Sequence, residues 1–264
     1  MKKIMALCTL LVMVVAVLGG CGGDTAKKEN DNTVKKIIVG LDDNYPPMGF
    51  KDENNEIVGF DVDLAKEASK RLGREVEFKG IDWSSKEAEL KSGRVDILWN
   101  GLDITEKRKE NMLFSNPYMD NRQIIFVAAG SPIKTEEDLK GKTIGTQSGG
   151  TAEEYIDGNA EFNANVKAVK KYSDYISAFM DLENGRLDAI VADEITGRYY
   201  MSKHPDKLAA TDAAVGPVST FGIAFRKDDQ KLRDEVQKVM DEMIKDGTAG
   251  KISEKWFGKD IIKK

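Results

Sequence analysis

Two hydrophobic patterns alternate along this chain. Short, nearly continuous apolar runs predict strands at Ile37 to Gly40, Glu75 to Phe78, Val95 to Trp99, Thr143 to Gly145, Val166 to Val169 and Ala189 to Val191. Between them, apolar residues recur with helical spacing. Val62, Leu64, Ala65, Ala68 and Leu72 mark a helix over Asp61 to Leu72, stopped by Gly73. Further helices are expected over Ser85 to Ser92 (closed by Gly93), from Thr151 onward, and over Ser173 to Asn184. Alternation of this kind builds α/β folds with mainly parallel sheets and helices on both faces.

A different pattern opens the chain. Lys2 and Lys3 precede an apolar stretch from Ile4 to Leu18, and Gly19-Gly20-Cys21 supplies the small residues of a cleavage site, so residues 1–20 read as an export signal. The stretch is short for a bilayer-spanning helix, which needs about 20 residues; a retained membrane helix is the alternative. Leu18-Gly19-Gly20-Cys21 resembles the lipobox of bacterial lipoproteins, which implies a lipid on Cys21 and an extracytoplasmic chain anchored to the cell membrane. Residues 21–33 are small, polar and charged, as suits a flexible tether. Cys8 leaves with the signal, and roughly 244 residues remain for one large domain or two modest lobes.

An internal repeat favours two lobes. "KSGRVDILWNG" (91–101) and "ENGRLDAIVAD" (183–193) share the frame Gly-Arg-apolar-Asp-apolar-apolar, offset by 92 residues. Each Gly ends a helix and each Arg-x-Asp turn starts a strand. Two copies of one unit predict two similar α/β lobes; chance likeness of a common turn is the alternative. Ligands of open α/β sheets bind outside the carboxyl ends of strands. Asn100 and Asp193 occupy such ends, one per lobe, so a cleft between lobes is expected.

Charge and composition then remove classes of function. The formal net charge is −5 and becomes about −7 once the signal is lost, without any basic and aromatic cluster, so no nucleic-acid partner is expected. His204, the only histidine, lies in the polar context Lys203-His204-Pro205-Asp206 and reads as a loop residue. No His and Cys residues stand at metal-ligand spacing, so neither a metal nor a cofactor is expected.

The strand ends carry the candidate chemistry. In "WNGLDITEKR" (99–108), Thr105 is placed to cap a helix whose third residue is Arg108. A cation there gains nothing from the helix dipole, and a guanidinium binds a carboxylate bidentately. A solvated arginine, or one paired with Glu106 or Asp61, is the alternative. "GTQSGGTAEEY" (145–155) is a glycine-rich turn into a helix, with Thr151 and Glu154 spaced as a capping box. Free N–H groups around Gly150 and Thr151 welcome an anion. The phosphate-loop spacing and its lysine are missing, and a carboxylate fits equally well; a plain flexible turn is the alternative. Asp193 is placed to hold an ammonium or to cap a helix from Glu194. Asp42 and Tyr45 follow the first strand, one as a cleft carboxylate or turn former, the other as an aromatic wall. Trp83 is a second wall or a core residue.

Six segments in order, "VGLDDNYPPMGF", "IVGFDVDLAKEASKRLG", "DILWNGLDITEKRKENMLFSNPYM", "GSPIKTEEDLKGKTIGTQSGGT", "GRLDAIVADE" and "DGTAGKISEKWFG", carry a resemblance. The chain from about Val34 to Phe257 resembles the bacterial polar amino-acid-binding proteins of ABC importers, solute-binding family 3. The resemblance implies a two-lobed, type II periplasmic-binding-protein fold, with lobe 1 at 34–120 and 219–264, lobe 2 at 124–214, and hinge segments at 121–123 and 215–218. It implies that Arg108, helped by Thr151, binds the α-carboxylate of an amino acid and that Asp193 binds its α-ammonium. Asp42 would contact the ligand side chain, Tyr45 and Trp83 would sandwich it, and Asn100 and Gly101 would line the pocket through strand-end groups. Asp103 departs from the pattern, standing where relatives usually carry Ser or Thr. A third acid beside Asp42 and Asp193 favours a polar or basic ligand: arginine, lysine, histidine or glutamine, with cystine as an outsider. The expected partners are that amino acid, the transmembrane subunits of an ABC permease and the membrane, the chain itself being a monomer without enzymatic activity. An amino-acid sensor ectodomain and a cyclohexadienyl-type dehydratase are the alternatives on the same fold.

Overall fold

The computed structural model describes residues 36–264; the export signal, Cys21 and the tether lie outside the described residues. The first part of the chain runs through β1 (Ile37–Leu41), β2 (Asn44–Tyr45), β3 (Gly49–Lys51), β4 (Ile57–Val58), α1 (Phe60–Arg71) and β5 (Val76–Gly80). A 3-10 turn at Trp83–Ser85 leads into α2 (Lys86–Lys91), followed by β6 (Ile97–Asp103), α3 (Glu106–Asn111), β7 (Met112–Phe114) and β8 (Met119–Asn121). The middle part comprises β9 (Gln123–Ala128), β10 (Thr143–Gln147), α4 (Thr151–Gly158), α5 (Ala160–Asn165), β11 (Ala168–Tyr172), α6 (Tyr175–Glu183), β12 (Ala189–Asp193), α7 (Glu194–Lys203) and β13 (Leu208–Ala214). The chain ends with β14 (Ser219–Arg226), α8 (Gln230–Lys245) and α9 (Thr248–Phe257).

Two sheets organise these elements. The first has the order β5-β1-β6-β14-β7, with β8 also on β14; the second has the order β11-β10-β12-β9-β13. The chain passes from one sheet to the other between β8 and β9, at Arg122, and returns between β13 and β14. β1 pairs in parallel with β5 and β6, and β10 with β11 and β12. The expectation of mainly parallel sheets holds for these three-strand wings. Their antiparallel neighbours β8, β9, β13 and β14 flank the crossings, where the chain reverses direction in space instead of returning over a helix.

The internal repeat is one structural unit used twice. Gly93 and Gly185 both adopt left-handed φ (74° and 69°), ending α2 and α6. Arg94 then bonds back to Glu89 through Nε and Arg186 to Asp181 through Nη1, each to an acid five residues earlier, at 2.9 and 2.8 Å. Asp96 accepts from Ile38 N at 2.9 Å, and Asp188 from Thr143 N at 2.7 Å, so each aspartate fastens the start of the neighbouring strand. The registers match as well: Val39 lies opposite Ile97, and Ile144 opposite Ala189.

Strand β11 begins later than the apolar run Val166 to Val169 suggests. Asn159 caps the short helix α5 by accepting from Phe162 N at 3.0 Å, and Val166 serves as that helix's C-cap, so pairing starts at Ala168. The core is mainly aliphatic and aromatic, and β6 is buried along its whole length, Asn100 and Asp103 included. Asp61, on the buried side of α1, is fully enclosed. Among the described residues no helix is long and apolar enough to cross a membrane.

Candidate functional site

The carboxyl ends of β1 and β10 meet directly: Gln147 Nε2 donates to Asp42 Oδ2 at 2.5 Å and to Ser173 O at 3.0 Å. Asp42 N in turn donates to Asn100 Oδ1 at 3.0 Å. Burial pushes the Asp42 carboxyl up to about 6, against its hydrogen bonds, which favour the charged form. Tyr45 stands beside it and faces Tyr175 of α6 across the lobes, the ring centroids being 6.2 Å apart. Both hydroxyls are buried without a hydrogen-bond partner.

A second group forms around Arg108. Thr105 Oγ1 accepts from Arg108 N at 3.2 Å, which is the cap the sequence predicts. Arg108 as a residue is 3% exposed. Its Nη1 donates to Asp103 O (3.0 Å) and Thr151 Oγ1 (3.1 Å), its Nη2 to Gly149 O (3.3 Å), and its ion-pair partner is Glu154, at 3.5 Å, rather than Glu106 or Asp61. Cap geometry at α4 differs from the expected box. Gly150 is the N-cap and Thr151 the first helical residue, so the hydroxyl of Thr151 is free to accept from Arg108. The third helical position falls to Glu153, whose carboxylate accepts from Gly149 N at 2.6 Å, while Glu154 reaches Thr105 Oγ1. The first-turn N–H groups of α4 have no acceptor within their own helix.

The third group is an acid pair. Asp103 of β6 and Asp193 of β12 come from different sheets and share the same donors. Asn121 Nδ2 donates to both Asp103 oxygens (3.0 and 3.2 Å) and to Asp193 Oδ1 (2.6 Å). Gln123 Nε2 donates to Asp193 Oδ1 (2.6 Å) and Asp103 Oδ2 (3.4 Å), and Ser219 Oγ to Asp103 Oδ1 (2.5 Å). Burial, and then the charge of Asp193, push the Asp103 carboxyl up to about 6; burial raises Asp193 too. No lysine or arginine forms an ion pair with either carboxylate among the described residues. The expected helix cap at Asp193 is not made, because its oxygens are turned to these amides instead of to α7.

Gly101 joins the three groups from behind. Its N–H donates to Asp61 Oδ2 at 2.6 Å, and Tyr118 Oη donates to the same oxygen at 2.9 Å. Burial pushes Asp61 up to about 7. With φ of 54°, Gly101 also lies so close to Tyr45 that a β-carbon would sit 2.9 Å from its ring. Trp83 borders the interface through its backbone, while its ring packs in lobe 1 among Leu90, Val95, Leu98 and Leu102. Sequence reasoning missed Asn121, Gln123, Gln147, Tyr175 and Ser219. Asn121 and Gln123 offered a signal, two amides at the entrance of the apolar strand Ile124–Val127. Gln147 and Tyr175 depend on contact between the lobes, and Ser219 on the pairing of β14 with β6, neither of which a local pattern encodes.

Chemically, the interface offers a guanidinium with free helix N–H groups on one side and two amide-held carboxylates on the other. No group of His, Cys, Asp and Glu suited to a metal exists among the described residues. Comparison with known proteins gives the context. The sequence is 35% identical over 258 residues to the L-cystine-binding protein TcyJ of Escherichia coli, covering 96% of this chain and 95% of that protein. The structure matches an ABC uptake transporter substrate-binding protein from Streptococcus pneumoniae with bound histidine, with a TM-score of 0.84, 33% identity and coverage of 87% and 95%. It also matches an ancestral arginine-binding protein bound to arginine, with a TM-score of 0.80, 42% identity and coverage of 84% and 98%. Residues 37–259 match the bacterial extracellular solute-binding proteins, family 3, and the chain belongs to that family.

Proposed function

We propose that this protein is a receptor for a free amino acid, polar or basic, which it carries to the permease of an ABC importer. One observation carries the reading: a buried guanidinium, bonded to the backbone carbonyl of Asp103, stands beside a buried carboxylate pair drawn from both lobes, and that pair has no ion-pair partner among the described residues. That is the charge pattern of a zwitterion in negative image. Arg108, with Thr151, Gly150 and the start of α4, receives the α-carboxylate. Asp193 receives the α-ammonium, and Asp103 adds negative charge beside it that favours a cationic side chain. Asp42, Asn100, Gly101 and Tyr45 border the side chain, with Trp83 supporting the turn beside them. The names of the relatives, which bind cystine, arginine or histidine, support this class of ligand.

The reaction is binding alone, with no bond made or broken. Residues 121–123 and 215–218 act as the hinge between lobe 1 (34–120 and 219–264) and lobe 2 (124–214). A ligand that bridges both lobes shifts the population toward closure by its differential affinity for that state. The protein works as a monomer, held on the extracytoplasmic side of the cell membrane by a lipid on Cys21. A thermal-shift panel of the standard amino acids plus cystine and ornithine tests the reading. The true ligand, at a thousandfold excess over its Kd, stabilises the chain by about 4 kcal/mol; stabilisation by none of them would sink the proposal. Cys21→Ser should release the protein from the membrane fraction.

A further inference from the structure

One buried cation is left unused by that reading. Lys86, the first residue of α2, is 4% exposed, and its ammonium donates to Gly149 O at 2.7 Å and to Trp83 O at 3.4 Å. Gly149 belongs to the opposite lobe, in the turn that opens α4. Its φ of 75° presses the turn onto Trp83–Ser85 so closely that a β-carbon would lie 2.7 Å from Ser84 Cα and 2.9 Å from Trp83 O. Contact between the lobes therefore strips Lys86 of water and gives it the neutral Gly149 carbonyl in exchange, beside the Trp83 carbonyl and the Trp83 ring, whose centroid lies 5.3 Å away; none of these carries a full negative charge. A lysine is rarely buried unless an acid accompanies it.

The acids around it are engaged elsewhere. Glu153 is taken by Gly149 N and Lys171, Glu154 by Thr105 and Arg108, and Glu87 by Asn111. None forms an ion pair with Lys86 among the described residues. Arg108 Nη2 donates to the same Gly149 oxygen at 3.3 Å, so the two cationic groups lie within about 6 Å of each other. Burial, reinforced by the charge of Arg108, brings the Lys86 ammonium down to about 7.

We propose that Lys86 is a second cationic determinant of the carboxylate subsite, which makes tight lobe contact favourable only when a ligand brings an anion to Arg108. The proposal rests on the reading of Arg108 as the carboxylate anchor. An anion there supplies the charge that the Gly149 carbonyl does not, and lies within Coulomb range of both cations. Without it, closure costs the desolvation of a lysine next to an arginine. The consequence is discrimination: ligands with the same side chain but no carboxylate are rejected more strongly than the loss of one Arg108 contact would give.

The test uses the full chain and two pairs of probes, L-arginine with L-argininamide and L-histidine with L-histidinamide, titrated by calorimetry. In Lys86→Met the affinity for the acid should fall about tenfold and that for the amide less than twofold, so the acid-to-amide ratio collapses. Lys86→Arg, which keeps a cation, should restore most of the ratio. An equal loss for acid and amide would reduce Lys86 to a structural lobe contact and overturn the proposal, as would an unchanged ratio. Should the thermal-shift panel name another amino acid, that acid and its amide replace the two pairs and the same ratio is read; a wild-type chain that binds no member of the panel would instead bring down the amino-acid reading itself, and this inference with it.

Discussion

In lobe 1 the repeated unit feeds β6, which continues for seven residues to Asp103; in lobe 2 the same unit feeds β12, which stops at Asp193 after five. Up to the fifth strand position the two copies share their glycine stop, their arginine back-bond and their strand-fastening aspartate. Beyond it they part. After β6 comes a six-residue helix that delivers Arg108, while after β12 comes α7 and no cation for the cleft. Scaffold and specificity are thus separable along one strand: its first half holds the lobe together and its last residues decide what the lobe presents.

The strongest way to break this division is at the specific end. Arg108→Ala should weaken amino-acid binding by about 100-fold or more, as loss of a desolvated charge contact does. Unchanged affinity by calorimetry would remove the assigned carboxylate contact. Asp103→Ser, which shortens the reach of β6 chemically but not structurally, should cost cationic ligands about tenfold and neutral ones little; equal loss across both would remove the charge argument. At the scaffold end, Asp96→Ala should lower stability by about 1–2 kcal/mol and leave ligand affinity unchanged. Asp188→Ala should cost about half as much, since Asp188 is exposed whereas Asp96 also holds Arg226 at 3.2 Å. A large affinity change in either variant would show that the two halves of the unit are not independent.

The smallest expected effect is a pH trend without ligand. Asp42 and Asp103 titrate at about 6 and Asp61 at about 7, above the ordinary carboxylate range because they are buried. Between about pH 4 and 7 the folded chain therefore holds more protons than the unfolded one, and its stability falls as pH rises through that window. Asp103→Asn should flatten part of the slope in denaturant titrations; a steeper slope would contradict the assignment.

Much of this was legible in the chain because it is local. The glycine stops, the alternation of strands and helices, and the Thr105 cap all follow from residues within a few positions of one another. Arg108 stood out for the same reason, as a cation at the wrong end of a helix. What escaped was set by neighbours far away in sequence. Two glycines let α4 start one residue earlier than its polar spacing suggests, which moved Thr151 from a capping role to a partner of Arg108. Asp193 gave up its cap for amides seventy residues or more distant, Tyr175 acquires meaning only when the lobes touch, and Ser219 only when β14 pairs with β6.

The hydrogen bond between Asp42 and Gln147 has a geometric meaning of its own. The matched registers put Val39 and Ile144 at corresponding places in the two lobes, 105 residues apart, and the same interval separates Asp42 from Gln147. Corresponding positions that touch lie close to whatever axis carries one copy of the unit onto the other. Identical residues there would make the cleft read the same from both ends. An acid facing an amide gives it a head and a tail, which is what a site needs before it can tell one end of a chiral zwitterion from the other.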